Sequence, residues 1–321
     1  MSSLFAGRRA FLAAAAAAGA APLLAGLPAQ ARGRIPPPLA TRQLDTDLLH
    51  VAYHAAGPES GRPVVLVHDF NYGIDSFAAV APRLAASGHR VLAPFLRGHG
   101  GTRFRDQDTP RSAQQAALGK DLIDFIDALH FPEAVFVGIG WGAHAAYAAS
   151  VVRPSRVAGL VLAGAGRAGQ AGPWHQFYFG TAAGNAELEV HRADIARVLW
   201  KKHSPATPFD ALRFERAAHG FDNPDHVAIL AHAYRHRQGQ AEGDPRYAAL
   251  EQRFASPPPA AMPAIVLQGG ASAVPPATGL RFSSFHAWRE LPGRGHDLGL
   301  EAPDAVAAAA AELIAMARWR T

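Results

Sequence analysis

The run Ala134-Val135-Phe136-Val137-Gly138-Ile139-Gly140-Trp141-Gly142-Ala143 decides how this chain folds. Residues 134–137 are apolar and partly β-branched, as in a buried strand, and the alanine-rich stretch from Ala143 to Val151 reads as a helix. The glycines between them mark a sharp turn. Strand, turn and helix in the pattern Gly-x-Xaa-x-Gly make a nucleophile elbow, whose central residue projects its side chain above a sheet. Gly138 and Gly142 let strand and helix approach closely. Gly140 holds the projecting position with no side chain, so it can attack nothing. Glycine also takes up a positive φ without the roughly 1–3 kcal/mol that a serine or aspartate bears there.

Outward from this turn the chain alternates strand and helix. Strands are predicted at 49–55, 63–68, 90–94, 134–137, 157–162, 264–268 and 287–291. Helices are predicted at 77–86, 113–129, 143–151 and 303–317, the last opening on Pro303, which a first helical turn tolerates. This order makes an α/β chain with a mostly parallel sheet flanked by helices. Residues 168–257 hold no strand pattern but many aromatic and histidine residues, with helical periods at 193–200 and 226–234. They read as a helical cap inserted between two core strands, closed by Ser256-Pro257-Pro258-Pro259. The core is then expected in two parts, 32–167 and 258–321, and no repeat at solenoid periods is present.

The first 31 residues look like an export signal: Arg8-Arg9-Ala10-Phe11-Leu12, an uncharged Ala/Leu-rich stretch, then Ala29-Gln30-Ala31 as a small-residue cleavage site. The twin arginine followed by Phe-Leu resembles a twin-arginine translocation signal, although Gly7 and Ala13 depart from its usual residues. A periplasmic or secreted protein is expected, with an uncleaved membrane anchor as the alternative. Ile35-Pro36-Pro37-Pro38 reads as a linker. The 321 residues, 49% hydrophobic and 18% charged, are enough for one large core with an insertion. The formal charge of +5 falls to +3 without Arg8 and Arg9, and no long basic run is present, so a nucleic-acid partner is not expected. The absence of cysteine excludes disulfide and thiol chemistry.

Five motifs occur in an order that resembles the α/β-hydrolase fold: Val64-Val65-Leu66-Val67-His68, Arg97-Gly98-His99-Gly100, the elbow at 138–142, Val266-Leu267-Gln268-Gly269-Gly270 and Pro292-Gly293-Arg294-Gly295-His296. Tryptophan directly after the nucleophile position resembles the epoxide hydrolases and haloalkane dehalogenases, which place aspartate where this chain has Gly140. The resemblance implies carboxylate attack to give an alkyl-enzyme ester, then hydrolysis by water that a His/Asp pair activates, with cap tyrosines donating to the epoxide oxygen.

Taken role by role, the resemblance makes His296 the general base. The acid expected to orient it falls on Ser272, which cannot stabilise an imidazolium as a carboxylate does. The other location relatives use, the end of the preceding core strand, reads Leu160-Val161-Leu162-Ala163-Gly164-Ala165-Gly166, with no acid. The first cap tyrosine is replaced by His175, the second matches Tyr234, and Tyr178 is a neighbouring aromatic. The oxyanion hole falls on the backbone N–H groups of Phe70 and Trp141. There the usual His-Gly-x-Pro reads His68-Asp69-Phe70-Asn71, and the Asp69 carboxylate is expected to weaken anion binding.

The reading from these residues is an exported, epoxide-hydrolase-like protein that binds a small apolar ligand with little or no covalent turnover, because loss of a nucleophile costs on the order of 10⁴–10⁶ in rate. The alternative is an active hydrolase or lyase using His296 as base, with Asp69 as a possible extra acid. Gly138-x-Gly140-x-x-Ala143 also matches a dinucleotide fingerprint, but it lacks the acid about 20 residues on. No cofactor and no metal are expected: His232 and His236 share a helix face without the intervening Glu of a zinc motif, and a solvated face accounts for them. A small molecule is the expected partner, with no stable membrane partner beyond the export signal.

Overall fold

The computed structural model describes residues 37–164, 174–271 and 280–319. The leader at 1–31, Ser272, residues 165–166 of the strand-end run 160–166 and residues 168–173 at the start of the cap segment lie outside these. The first part of the core runs β1 (Thr41–Asp45), β2 (Leu49–Ala56), β3 (Pro63–Val67), α1 (Val80–Ala86), β4 (Arg90–Pro94), β5 (Arg103–Phe104), α2 (Gln115–Ala128), β6 (Ala134–Ile139), α3 (Trp141–Val152) and β7 (Val157–Ala163). Among the described residues the α-helices α4 (Trp174–Tyr178), α5 (Ala182–His203), α6 (Ala211–Ala218), α7 (His226–Arg237) and α8 (Ala248–Ala255) follow. The chain then returns to the core with β8 (Ala264–Gly269), β9 (His286–Leu291), α9 (Leu298–Glu301) and α10 (Pro303–Met316).

The strands form one sheet in the order β1-β2-β4-β3-β6-β7-β8-β9, with β5 pairing β2. Pairing is parallel from β4 through β9 and antiparallel at β1, β2 and β5. Every residue of β3, β6, β7 and β8 is buried, as central parallel strands covered on both faces require. Alternate residues divide between two cores: Val65 and Val67 pack with α2 and α3, whereas Val64 and Leu66 pack with α1 and α10. The elbow glycines set the spacing of α3 on the sheet. A Cβ on Gly142 would lie 2.0 Å from the Val67 carbonyl oxygen, and one on Gly138 would lie 2.3 Å from that of Gly142.

Two strands escape a reading by pattern. β1 is an edge strand with four of its five residues exposed, so it carries no apolar alternation, and β5 is only two residues long. The helix predicted at 77–86 is a single turn, Ile74–Phe77, followed by α1 from Val80. Pro82 has no backbone N–H and can belong only to a first turn, which places the helix start close before it.

The helices between β7 and β8 cover the carboxyl ends of the strands, the usual location of sites in open α/β sheets. Thr181 caps α5 by accepting from Gly184, and Asp210 caps α6 by accepting from Arg213. Tyr72, from the loop after β3, packs with Trp200 of α5 and Phe214 of α6, which pins the cap to the core. Among the described residues, no helix is long and apolar enough to cross a membrane.

Candidate active site

Three loops at the carboxyl end of the sheet converge: Asp69 after β3, Gly140 after β6 and His296 after β9. Gly140 has φ 55° and ψ −119°, the positive-φ geometry of an elbow, and its N–H donates to the Ala163 carbonyl over 2.9 Å. Above it stands the side chain of Asp69. A Cβ on Gly140 would fall 2.4 Å from the Asp69 carboxyl carbon. The space that an elbow nucleophile would enter is therefore filled by a carboxylate arriving from the neighbouring strand.

Each oxygen of that carboxylate has a defined role. Asp69 Oδ1 accepts from the backbone N–H of Phe70 at 2.8 Å and of Trp141 at 2.9 Å. These are the two donors expected to form the oxyanion hole. Asp69 Oδ2 lies 2.9 Å from His296 Nε2. Both side chains are buried, at 5% and 3% exposure. The carboxylate expected beside an anion site reaches across the turn and is itself the anion held there.

Burial is the largest influence on Asp69 and pushes its pKa up, but the hydrogen bond and charge of His296 and the two N–H donors outweigh it, and the carboxyl falls to about 2. For His296, burial pushes down first, yet the hydrogen bond and charge of Asp69, followed by Asp297 and Glu301, raise it above its ordinary value. Each partner thus favours the charged form of the other, a carboxylate facing a protonated imidazole. Asp297 caps α9 through Leu300 N–H, accepts from Ser76 Oγ at 2.6 Å, and is raised to about 6, chiefly by burial.

The loop carrying Asp69 is held from behind. Leu96 N–H donates to His68 Nε2 at 3.2 Å, so His68 carries its proton on Nδ1 and donates to the Asp69 carbonyl at 2.8 Å. His99 Nε2 lies 2.7 Å from the Phe70 carbonyl. Phe70 stacks on Trp141 with ring centroids 4.8 Å apart. These contacts aim both N–H groups at a single point.

From the cap, Tyr234 packs edge-on against Trp141 at 5.5 Å and His175 lies 6.4 Å from Tyr234. Burial and the charge of Asp69 raise the Tyr234 pKa, so its hydroxyl keeps its proton. His175 is buried and, chiefly through burial, lowered to about 4. Tyr178 sits at the fringe of the core beside Phe179, and Phe179 faces His175 and Tyr234.

His203 is a site residue that the sequence pattern does not disclose. It closes α5 after Lys201 and Lys202, where a basic last turn is ordinary complement to the helix dipole. In the fold it is buried, 5.3 Å from the His296 ring and 5.5 Å from that of His175, and burial lowers its pKa to about 3. His296 Nδ1 has no hydrogen-bond partner among the described residues. A Cβ on Gly164 would lie 2.8 Å from that nitrogen, so the end of β7 closes on it without supplying an acid.

The pair His232 and His236 does not form a solvated face. The rings stack at 5.6 Å, and His232 bridges the chain by accepting from Ala113 N–H at 3.0 Å on Nδ1 while Nε2 meets the Glu242 carbonyl at 3.0 Å. Its role is to tie α7 to the segment before α2. Among the described residues, no group of three or more His, Asp or Glu side chains is arranged to hold a metal ion.

Comparison with known proteins agrees with this fold. Residues 64–309 match the model of the alpha/beta hydrolase family. A crystal structure from Klebsiella pneumoniae subsp. pneumoniae, described as a candidate epoxide hydrolase, superposes with a TM-score of 0.81 at 36% identity, covering 85% of this chain and 96% of that one. Epoxide hydrolase A of Mycobacterium tuberculosis is 31% identical over 119 residues, and bifunctional epoxide hydrolase 2 of Mus musculus is 31% identical over 110. Those stretches are 37% and 33% of this chain, and they span 36% and 19% of the two relatives' own lengths. The chain belongs to the α/β-hydrolase family, in its epoxide hydrolase-like branch.

Proposed function

We propose that this protein opens small apolar epoxides by covalent catalysis in which Asp69, not the elbow residue, is the nucleophile. The single observation that carries this reading is the Asp69 carboxylate, with one oxygen on both oxyanion-hole donors and the other against the catalytic histidine. Asp69 Oδ2 attacks an epoxide carbon as its C–O bond breaks, and the epoxide oxygen takes the proton of the His296 imidazolium. Tyr234, which keeps its hydroxyl proton, holds that oxygen. Esterification removes the Asp69 charge that keeps His296 protonated, so the histidine is left neutral and becomes a base.

In the second step His296 takes a proton from water, and hydroxide adds to the Asp69 ester carbonyl. The oxyanion forms on Oδ1 between the N–H groups of Phe70 and Trp141. When the C–O bond to the alkyl group breaks, the alkoxide takes the carboxylic proton and leaves as a diol. Asp69 is again a carboxylate and His296 an imidazolium.

The experiment is intact mass spectrometry of residues 32–321 with an aryl epoxide. Acid quench of the unmodified sequence during a single turnover is expected to trap an adduct on the peptide carrying Asp69, and single turnover in ¹⁸O-water is expected to place label in that peptide. Failure to form any adduct with Asp69 intact sinks the proposal. A second reading, a ligand-binding protein without covalent turnover, draws support from His296 Nδ1, which has no acid partner among the described residues. Ligand binding with neither adduct nor label selects it. Export through the twin-arginine leader belongs to the same proposal. Replacing Arg8-Arg9 by Lys-Lys is expected to retain the protein in the cytoplasm, and unchanged periplasmic recovery counts against that route.

A further inference from the structure

The last turn of α5 touches both loops that carry the Asp69–His296 pair. Trp200 Nε1 donates to the Asn71 carbonyl at 2.7 Å, and its ring stacks on Tyr72 at 4.5 Å, which fixes the loop after β3. The His203 carbonyl accepts from His296 N–H at 3.2 Å, which fixes the loop after β9. Beside this second contact lies Glu301, at the end of α9 and only 7% exposed. One of its oxygens accepts from Ser204 Oγ. The other accepts from Thr207 Oγ1 at 2.5 Å and from Gly295 N–H at 2.7 Å. Two of these donors belong to the cap, and the third immediately precedes His296.

The backbone is shaped around this carboxylate. A Cβ on Gly295 would lie 2.6 Å from Glu301 Oε1 and 2.6 Å from Ser204 Cα, so only glycine lets the histidine loop, the cap and Glu301 meet. A buried carboxylate left without its donors carries a large desolvation cost, so the three bonds form or break together.

We propose that Glu301 is a positioning residue that latches the end of α5 to the histidine loop, so that His296 reaches its catalytic position only when the cap is seated. This rests on the assignment of the active pair given above, but it concerns how the pair is assembled, and its test needs no turnover.

The test removes the cap side of the latch and reads the histidine loop. In the double variant Ser204→Ala with Thr207→Val, Glu301 and the Gly295 N–H that donates to it are left unaltered. Hydrogen exchange of native protein is expected to accelerate by roughly tenfold or more at residues 200–204 and at 295–296 together, the minimum set by losing either of the two charge-assisted hydrogen bonds. Glu301→Gln is expected to accelerate the same two segments and to lower the His296 pKa measured by NMR, since the charge of Glu301 helps hold that proton. Acceleration confined to the cap, with 295–296 unchanged in the double variant, overturns the latch. Where an epoxide is turned over, the double variant is expected to lose kcat rather than gain KM, and an unchanged kcat at saturating substrate also overturns it. Absence of turnover in every variant bears on the covalent reading alone.

Discussion

At the scale of single residues, the site is an exchange of places. Elbow chemistry needs a carboxylate with one oxygen on two N–H donors and the other facing the histidine, and here the carboxylate comes from position 69 while position 140 supplies room. Gly140→Asp alone is therefore expected not to repair the elbow but to collide with Asp69. Overpacking and a non-glycine residue at φ 55° together cost about 2–5 kcal/mol, to be read as a lower melting temperature. Joined with Asp69→Gly, the same substitution returns the carboxylate to the elbow, recovers the overpacking part of that loss, and moves any alkyl adduct to the peptide containing residue 140. If the single and double variants melt alike, the two positions do not share one space. Asp69→Asn keeps the shape but withdraws the charge. It is expected to abolish the adduct and lower the His296 pKa, since Asp69 is what raises it.

At the scale of elements, the sequence is legible wherever burial imposes a pattern. The four central strands are continuous apolar runs because both faces are covered, and the elbow glycines announce a close strand–helix approach that the fold confirms in the 2.0 Å and 2.3 Å clashes their Cβ atoms would make. β1 and β5 are illegible because an exposed edge and a two-residue bridge leave no period to read. The same distinction governs the site. His296, Phe70 and Trp141 are fixed by the ends of regular elements, so motif spacing locates them. The reach of Asp69 across the turn and the arrival of His203 from a cap helix depend on side-chain direction and on packing between segments far apart in sequence, which no local pattern records. Phe70 has a further element-level consequence: its ring is stacked on Trp141 at 4.8 Å. Phe70→Ala retains the backbone donor but removes the stack that aims it. A loss of about 3–5 kcal/mol in stability is expected from denaturant melts, with a larger fractional loss in turnover than in substrate binding.

At the scale of the whole molecule, buried histidines set the acid limit. Burial, as the largest cause, lowers His68 and His203 to about 3 and His175 to about 4, and carries His226 well below its ordinary value. In the unfolded chain each titrates near 6.5, so below that pH the unfolded state binds more protons and stability falls as pH falls. Each such group contributes a slope of up to about 1.4 kcal/mol per pH unit between 6.5 and its folded value. Asp69 has the opposite placement. Its folded pKa of about 2 lies below 3.8, so its contribution is present above 3.8 and fails only as pH drops toward 2. His296, raised above 6.5 by its partner, contributes below 6.5 and loses that contribution as pH rises through its folded value. Four histidines acting together exhaust a typical stability of about 5–15 kcal/mol within a few pH units, so acid unfolding is expected above pH 4, before Asp69 titrates. His226→Gln, which keeps a donor for the Gly98 carbonyl that His226 meets at 3.1 Å, removes one of the four and is expected to move the unfolding midpoint to lower pH. Circular dichroism across pH 3 to 8 measures both. A chain still folded at pH 3, or a midpoint unmoved by His226→Gln, would assign the acid limit to carboxylates instead.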